Sequence, residues 1–334
     1  MSLSLSILDQ SPISEGKTAR DALNETVELA VRADMWGYKR FWVSEHHDSD
    51  SLAGSSPEVL AAYLIAKTKK IRIGSGGVML SHYSPYKVAE NFRVLESLAP
   101  GRIDLGIGRA PGGMPRSTIA LNDSRSRGLD KYPKKVDELL QYLHDDLPQE
   151  HPLYGLKASP ITETKPDVWM LGSSEEGAKL AAKMGLPYAF AHFINGEGGD
   201  KIMESYLNHF QPSSYYKRPK NIVAVFAICA ETDQEAERIA SSLDYSLLMV
   251  GYHNETKGTP SPEKALSYPY RPYELARIRE NRKRMIIGSP RKVKEELYRL
   301  SERYRTNEVM LVSITFDFKD KLKSFELIAK ELLS

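Results

Sequence analysis

Cysteine is nearly missing from this chain: its 334 residues include one, Cys229. A lone thiol closes no disulfide within the chain, which excludes a cross-linked scaffold and fits a reducing compartment. No sign of charge dominates, because 46 basic and 44 acidic residues leave a formal net charge of +2. Without a long run of like charge there is no electrostatic footprint for nucleic acid or an anionic membrane. No apolar stretch reaches the roughly 18 residues that a membrane span needs. The opening MSLSLSILDQSPIS lacks the basic region and longer apolar core of a signal peptide, so a cytoplasmic location is expected. HxH and HExxH spacings are also missing, and no metal site is expected. No GxGxxG leads from a strand into a helix. Gly106-Ile107-Gly108-Arg109 resembles that motif only in part, since Gly112-Gly113 and Pro115 follow it, and a Rossmann dinucleotide site is not supported. No lysine at a strand end and no carboxylate pair points to a barrel aldolase or a sugar enzyme.

What remains is an ordinary globular composition, 41% apolar and 27% charged, with one rhythm running through it. Leu3, Leu5 and Ile7 alternate with serines as in a strand. A helix follows from Ala19 to Trp36, with Leu23, Val27, Ala30 and Val31 on one face and Gly37 as its stop. Further strands are expected at Arg40–Ser44, Ile71–Leu80, Ile103–Ile107, Val168–Leu171, Tyr188–Ala191, Asn221–Cys229 and Glu308–Ile314, with helices between them. The rhythm breaks between Ala110 and Lys165, where one helix near Tyr132–Leu143 stands among Gly, Pro, Arg and Ser. It breaks again in a polar segment from His253 to Pro272. Eight strands, each followed by a helix, predict a parallel sheet, because parallel strands need crossover connections. Their number favours a closed (β/α)₈ barrel, one domain over residues 1–334 with loop insertions at the C-terminal face, where barrel active sites lie.

The strand ends therefore hold the candidates. The second strand runs into Ser44-Glu45-His46-His47-Asp48. Adjacent side chains in extended backbone point oppositely, so a shared metal is disfavoured; a proton-transfer group or plain loop residues remain open. The third strand carries Gly74, Gly76 and Gly77. Glycine inside a strand marks a bulge, close packing, or a flat ring laid against bare backbone. The fifth strand leads into Gly172-Ser173-Ser174-Glu175-Glu176-Gly177. Such a helix start can receive an anion, or Ser173 and Glu176 can simply form a capping box. Arg109 at the end of the fourth strand supplies positive charge for an anion, or an ion pair on the rim. Taken together, these features suit a flat phosphorylated cofactor beside a proton-transfer group.

The stretches FWVSEHHD, IRIGSGGVMLSHYSPYKVAENFRVLESLAPGRIDLGIGRAPG and WMLGSSEEGAKLAAKMGLPYAF resemble the bacterial luciferase-like monooxygenases, most of all the oxidoreductases of bacilli rather than light-emitting subunits. The resemblance follows the chain from its first strand to Gly288-Ser289-Pro290. It implies the same barrel, reduced FMN delivered by a separate flavin reductase, and dioxygen as co-substrate. A flavin hydroperoxide would oxygenate a small aldehyde, ketone or similar molecule. By position, His46 matches the catalytic histidine, and Gly76-Gly77 the place of a non-prolyl cis peptide against the flavin ring. Arg109, Ser173, Ser174 and Gly177 match the phosphate-binding positions, and 110–165 and 253–272 match mobile active-site loops. A homodimer through outer helices is implied as well, while the role of His47 stays open. Two positions depart from the light-emitting subunit. Gly108 stands where it has a reactive cysteine, and Ser173-Ser174 where it has glutamate and serine. A deazaflavin-dependent hydride-transfer enzyme and a non-catalytic flavin-binding protein are the alternatives.

Overall fold

Residues 3–110, 112–113, 115–121, 131–252 and 257–333 are described by the structure, a computed structural model. The first half contains β1 (Ser4–Asp9), α1 (Ala19–Trp36), β2 (Arg40–Val43), α2 (Pro57–Lys67), β3 (Arg72–Met79), α3 (Pro85–Leu98) and β4 (Ile103–Gly108). A 3₁₀ turn at Leu80–His82 separates β3 from α3. Next come α4 (Pro115–Leu121), α5 (Tyr132–His144), β5 (Asp167–Gly172), α6 (Glu175–Met184), β6 (Tyr188–Ala191) and α7 (Gly199–His209). The remainder is β7 (Asn221–Cys229), α8 (Asp233–Gly251), α9 (Pro262–Ser267), α10 (Pro272–Arg282), β8 (Met285–Gly288), α11 (Pro290–Arg303), β9 (Glu308–Val312) and α12 (Phe318–Leu332).

Local chemistry accounts for the boundaries. Thr18 and Asp21 bond reciprocally at the start of α1, and Gly37 ends it in the left-handed conformation at φ 85°. Proline occupies the first turn of α2, α3, α5, α9, α10 and α11, where its missing N–H costs no helix bond. Neighbouring strands pair in parallel from β1 through β7; β7 then pairs with β9, and β9 with β1, so eight strands close a ring. The ring is the expected (β/α)₈ barrel. A ninth strand, β8, was not expected. It pairs with Phe226–Cys229 of β7, beyond the last β6 pair at Ala224. Its four residues Met285-Ile286-Ile287-Gly288 follow Arg282-Lys283-Arg284 and are too few to display a period of two. Among the described residues, no helix is long and apolar enough to cross a membrane.

Alternation along the strands divides the core into two layers. Ile7, Phe41, Leu105 and Val309 face the helices, while Leu8, Trp42, Trp169, Phe226 and Met310 fill the barrel. At the N-terminal ends of the strands the interior holds charge. Arg40 donates to Asp104 Oδ2 at 2.8 Å and to Glu308 Oε1 at 2.5 Å, and Arg72 reaches Asp104 Oδ1 at 2.7 Å. Trp42 Nε1 and Ser6 Oγ donate to Asp104 and Glu308 at 2.9 and 2.6 Å. Burial alone would raise the Glu308 carboxyl, but Arg40 and Lys39 more than offset it and hold it below its ordinary range. The Arg40 guanidinium also lies 4.9 Å from the Trp169 ring centroid. Every charge here is satisfied by partners from different strands, so removing one leaves the others buried with fewer partners. Arg40→Leu is expected to lower unfolding stability by about 3–5 kcal/mol, read from chemical denaturation. A loss below about 1 kcal/mol would show that the cluster is not what closes this end.

Candidate active site

The C-terminal ends of β2, β3, β4 and β5 bring the candidate residues to one end of the barrel. β2 ends at Val43, and the side chains after it alternate, Ser44 with His46 and Glu45 with His47. His46 donates its backbone N–H to Gly54 O at 2.8 Å, and its Nδ1 lies 3.0 Å from Ser44 Oγ. His47 turns the other way, with Nε2 2.7 Å from Glu45 Oε1. The two imidazoles thus share no partner, as expected for adjacent residues of extended backbone. Burial, and after it the neighbouring His47, push the His46 imidazole down to about 4. It is neutral at physiological pH and able to accept a proton.

β3 carries the bulge that its glycines allowed for. Ser75 stands opposite Leu105 and Val78 opposite Ile107, so β3 has one residue more than β4, and the Gly76–Gly77 peptide inside the irregularity is cis. A Cβ on Gly77 would lie 2.5 Å from Leu171 Cδ1 and 2.7 Å from the Gly106 carbonyl oxygen; one on Gly76 would lie 2.6 Å from Leu8 Cδ1. Close packing against the Gly106 backbone therefore demands glycine at Gly77, whereas at Gly76 a Cβ would have to move the end of the Leu8 side chain, and the same stretch presents backbone without side chains. The space around it is kept by small residues. Gly106 and Gly108 of β4, Ala189 and Ala191 of β6 and Ala224 of β7 are the small ones.

At the head of α6 the N-cap is Ser174, whose Oγ accepts from Gly177 N–H at 3.3 Å. This corrects the expected Ser173–Glu176 box by one residue: the first helical turn opens after Ser174 rather than Ser173. Glu175 turns along the helix to Lys179 at 2.6 Å, and Glu176 meets Arg109 at 3.6 Å with both side chains at least half exposed. Ser173, Ser174, Gly177 and Arg109 thus come together. An exposed pair of this kind is weak, so an arriving phosphate can replace Glu176 at little cost. A free hydroxyl, a helix N-terminus and a guanidinium are the donor set that a phosphate monoester takes, and bare strand backbone suits a flat ring. The residues present fit FMN.

Both long excursions contact this face. His47 N–H donates to Gly112 O at 2.9 Å, Arg116 of α4 grips Asp48 with two bonds of 2.6 and 2.8 Å, and Thr259 exchanges backbone bonds with Ile13 and Glu15. Pro111, Met114, residues 122–130 and residues 253–256, all within the expected loops, lie outside the described residues. Several groups escaped the sequence reading. Glu45, 1% exposed, and Tyr83 belong to the site's framework. His192, also buried and pushed down to about 4, turns out to Tyr304 OH at 2.7 Å as a satisfied core histidine. The signal for Glu45 was a carboxylate one residue beyond an apolar strand, masked by the two histidines after it. Among the described residues no group of three metal-ligating side chains occurs.

Residues 1–307 match the family model described as luciferase-like monooxygenase, and the chain belongs to that family. It is 56% identical over 326 residues, 98% of each chain, to the uncharacterized protein YwcH of Bacillus subtilis. To the N-acetyl-S-alkylcysteine monooxygenase of the same organism it is 42% identical over 337 residues, which cover 99% of this chain and 98% of that one. Among solved structures, that of apo-MsnO8 superimposes with a TM-score of 0.89 at 36% identity, covering 99% of this chain and 98% of the other.

The depressed His46 sets a pH dependence. A step that needs its neutral imidazole keeps its rate as pH falls through 6.5, the ordinary histidine value, and declines only toward about 4. A pH–rate profile of wild type with an acid limb at pH 6 to 7 that vanishes in His46→Gln would contradict this environment.

Proposed function

We propose that the chain is the oxygenating component of an FMN-dependent monooxygenase, acting as one barrel domain over residues 1–334. What carries the reading is the meeting, at the C-terminal end of one barrel, of a neutral half-buried histidine, bare strand backbone and a phosphate-compatible helix start. The full-length likeness to a protein named a monooxygenase supports oxygen chemistry over hydride transfer from a deazaflavin. Arg109, Ser173 and Ser174 would hold the phosphate, with Gly177 exchanging its N–H bond to Ser174 Oγ for a phosphate oxygen, and the backbone of Gly76 and Gly77 would receive the ring. Reduced FMN, delivered by a separate reductase, supplies two electrons, so that one atom of dioxygen enters the substrate and the other leaves as water. His46 accepts and returns the proton that this exchange requires. Water is kept from the mouth by the segments around Gly112–Arg116 and Thr259, which dock on the β1 and β2 ends.

Two further features belong to this reading. The likeness to the N-acetyl-S-alkylcysteine enzyme makes a small thioether the first substrate to test, followed by aldehydes and ketones. Val59 and Tyr63 of α2 and Val94 and Leu98 of α3, 47 to 69% exposed and each pair one helical turn apart, support a homodimer through these outer helices.

The test supplies the protein with FMN, a flavin reductase, NADH, ¹⁸O₂ and N-acetyl-S-methylcysteine or an aldehyde. One ¹⁸O per product molecule is expected, and His46→Ala should keep FMN affinity while losing about 10²- to 10⁴-fold in turnover. Turnover with reduced deazaflavin in the absence of dioxygen would replace this reading by hydride transfer. Turnover undiminished in His46→Ala would remove His46 from the chemistry.

A further inference from the structure

Glu45 joins the two halves of the site. Its side chain comes from the β2 end, next to His46 in the chain, and is buried. Oε2 accepts the Met79 backbone N–H at 2.9 Å; Oε1 accepts the Tyr83 hydroxyl at 2.7 Å and lies 2.7 Å from His47 Nε2. Met79 and Tyr83 flank the 3₁₀ turn that follows the Gly76–Gly77 bulge. The same turn is held from its other side by Lys135 of α5, whose ammonium donates to the carbonyls of Leu80, Ser81 and Tyr83 at 3.3, 2.8 and 2.9 Å. Burial, with Glu45 and Glu58 beside it, pushes the Tyr83 hydroxyl up, so it stays protonated and donates. A carboxylate that faces three donors from three chain positions has no freedom to turn, and charge-assisted bonds of this kind are the strong ones.

We propose that Glu45, seconded by Tyr83 and His47, is the positioning residue of this site: it sets the spacing between His46 at the β2 end and the ring-bearing backbone of β3. The inference rests on the reading of His46 as the proton-transfer group. It also gives the second histidine a place. His47 is part of the clasp, and its Nε2 carries a proton toward Glu45. A glutamine at 45 keeps the size but offers one acceptor oxygen and a nitrogen that donates, so it opposes at least one of the three present donors.

The test compares Glu45→Gln and Tyr83→Phe with the unmodified protein in reduced-FMN affinity, melting temperature, KM and kcat. A displaced proton-transfer group lowers kcat by about 10²-fold in Glu45→Gln and by about tenfold in Tyr83→Phe, which loses one bond to the carboxylate. FMN affinity and KM should stay within about threefold of the unmodified protein, a split that general loosening of the fold does not produce. Should Glu45→Gln fail to fold, Tyr83→Phe decides alone. Unchanged kcat in the folded variants, or a loss that follows FMN affinity, overturns the clasp and leaves the monooxygenase reading standing. An unmodified protein without turnover overturns that reading, and the positioning role with it.

Discussion

Side-chain volume, which falls along the barrel axis on the β3, β4 and β6 side, is the constraint on which the structure depends. At the N-terminal end of the ring the interior is filled by Arg40, Trp42, Asp104, Trp169 and Glu308, with every charge bonded across strands. Toward the C-terminal ends of β3, β4 and β6 the inward positions fall to glycine and alanine, while Phe226, Ile228 and Val312 still fill the β7 and β9 side. The full end fixes strand register, because a one-residue slip would turn buried charge out of the barrel and apolar side chains out of the helix layer. The empty end costs stability, since each glycine gives up packing, and the closed ring beneath it tolerates that cost. Architecture and site are thus two consequences of one gradient, in keeping with the rule that barrel chemistry sits where the strands end.

At the open end, neighbouring residues meet different surroundings. His46 loses water without gaining a charged partner, and becomes a neutral imidazole. Glu45, one residue earlier, is more fully buried and meets the Met79 N–H, the Tyr83 hydroxyl and His47 Nε2. The alternation of extended backbone sends the two side chains into these different surroundings. A third residue, His47, turns back to the carboxylate and so stays out of the way of the first histidine.

Much of this was legible in the order of the residues. All eight ring strands are visible because each is a short apolar run set between turn residues and a helical pattern, and the candidate positions fall at their ends. The three glycines of β3 signalled an irregular strand, and the bulge with its cis peptide lies there. Four-residue β8 was hidden because so short a run carries no period. Tyr83 and Lys135 were hidden for a different reason: Tyr83 bonds Glu45 and Lys135 bonds the turn after β3, and no local pattern records a contact made across 38 or 52 positions. The cap of α6 was misplaced by one residue, since Ser173 and Ser174 are chemically alike and only backbone geometry separates them. Residues whose role depends on their own segment were readable; those whose role depends on a partner far along the chain were not.

The central claim, that the small-residue end of the barrel is a reduced-flavin site, is tested most directly by anaerobic titration of the purified protein with reduced FMN. The account predicts saturation at one FMN per chain, with Arg109→Ala weakening FMN far more than riboflavin, which lacks the phosphate. No saturable binding, or equal losses for FMN and riboflavin, would contradict it.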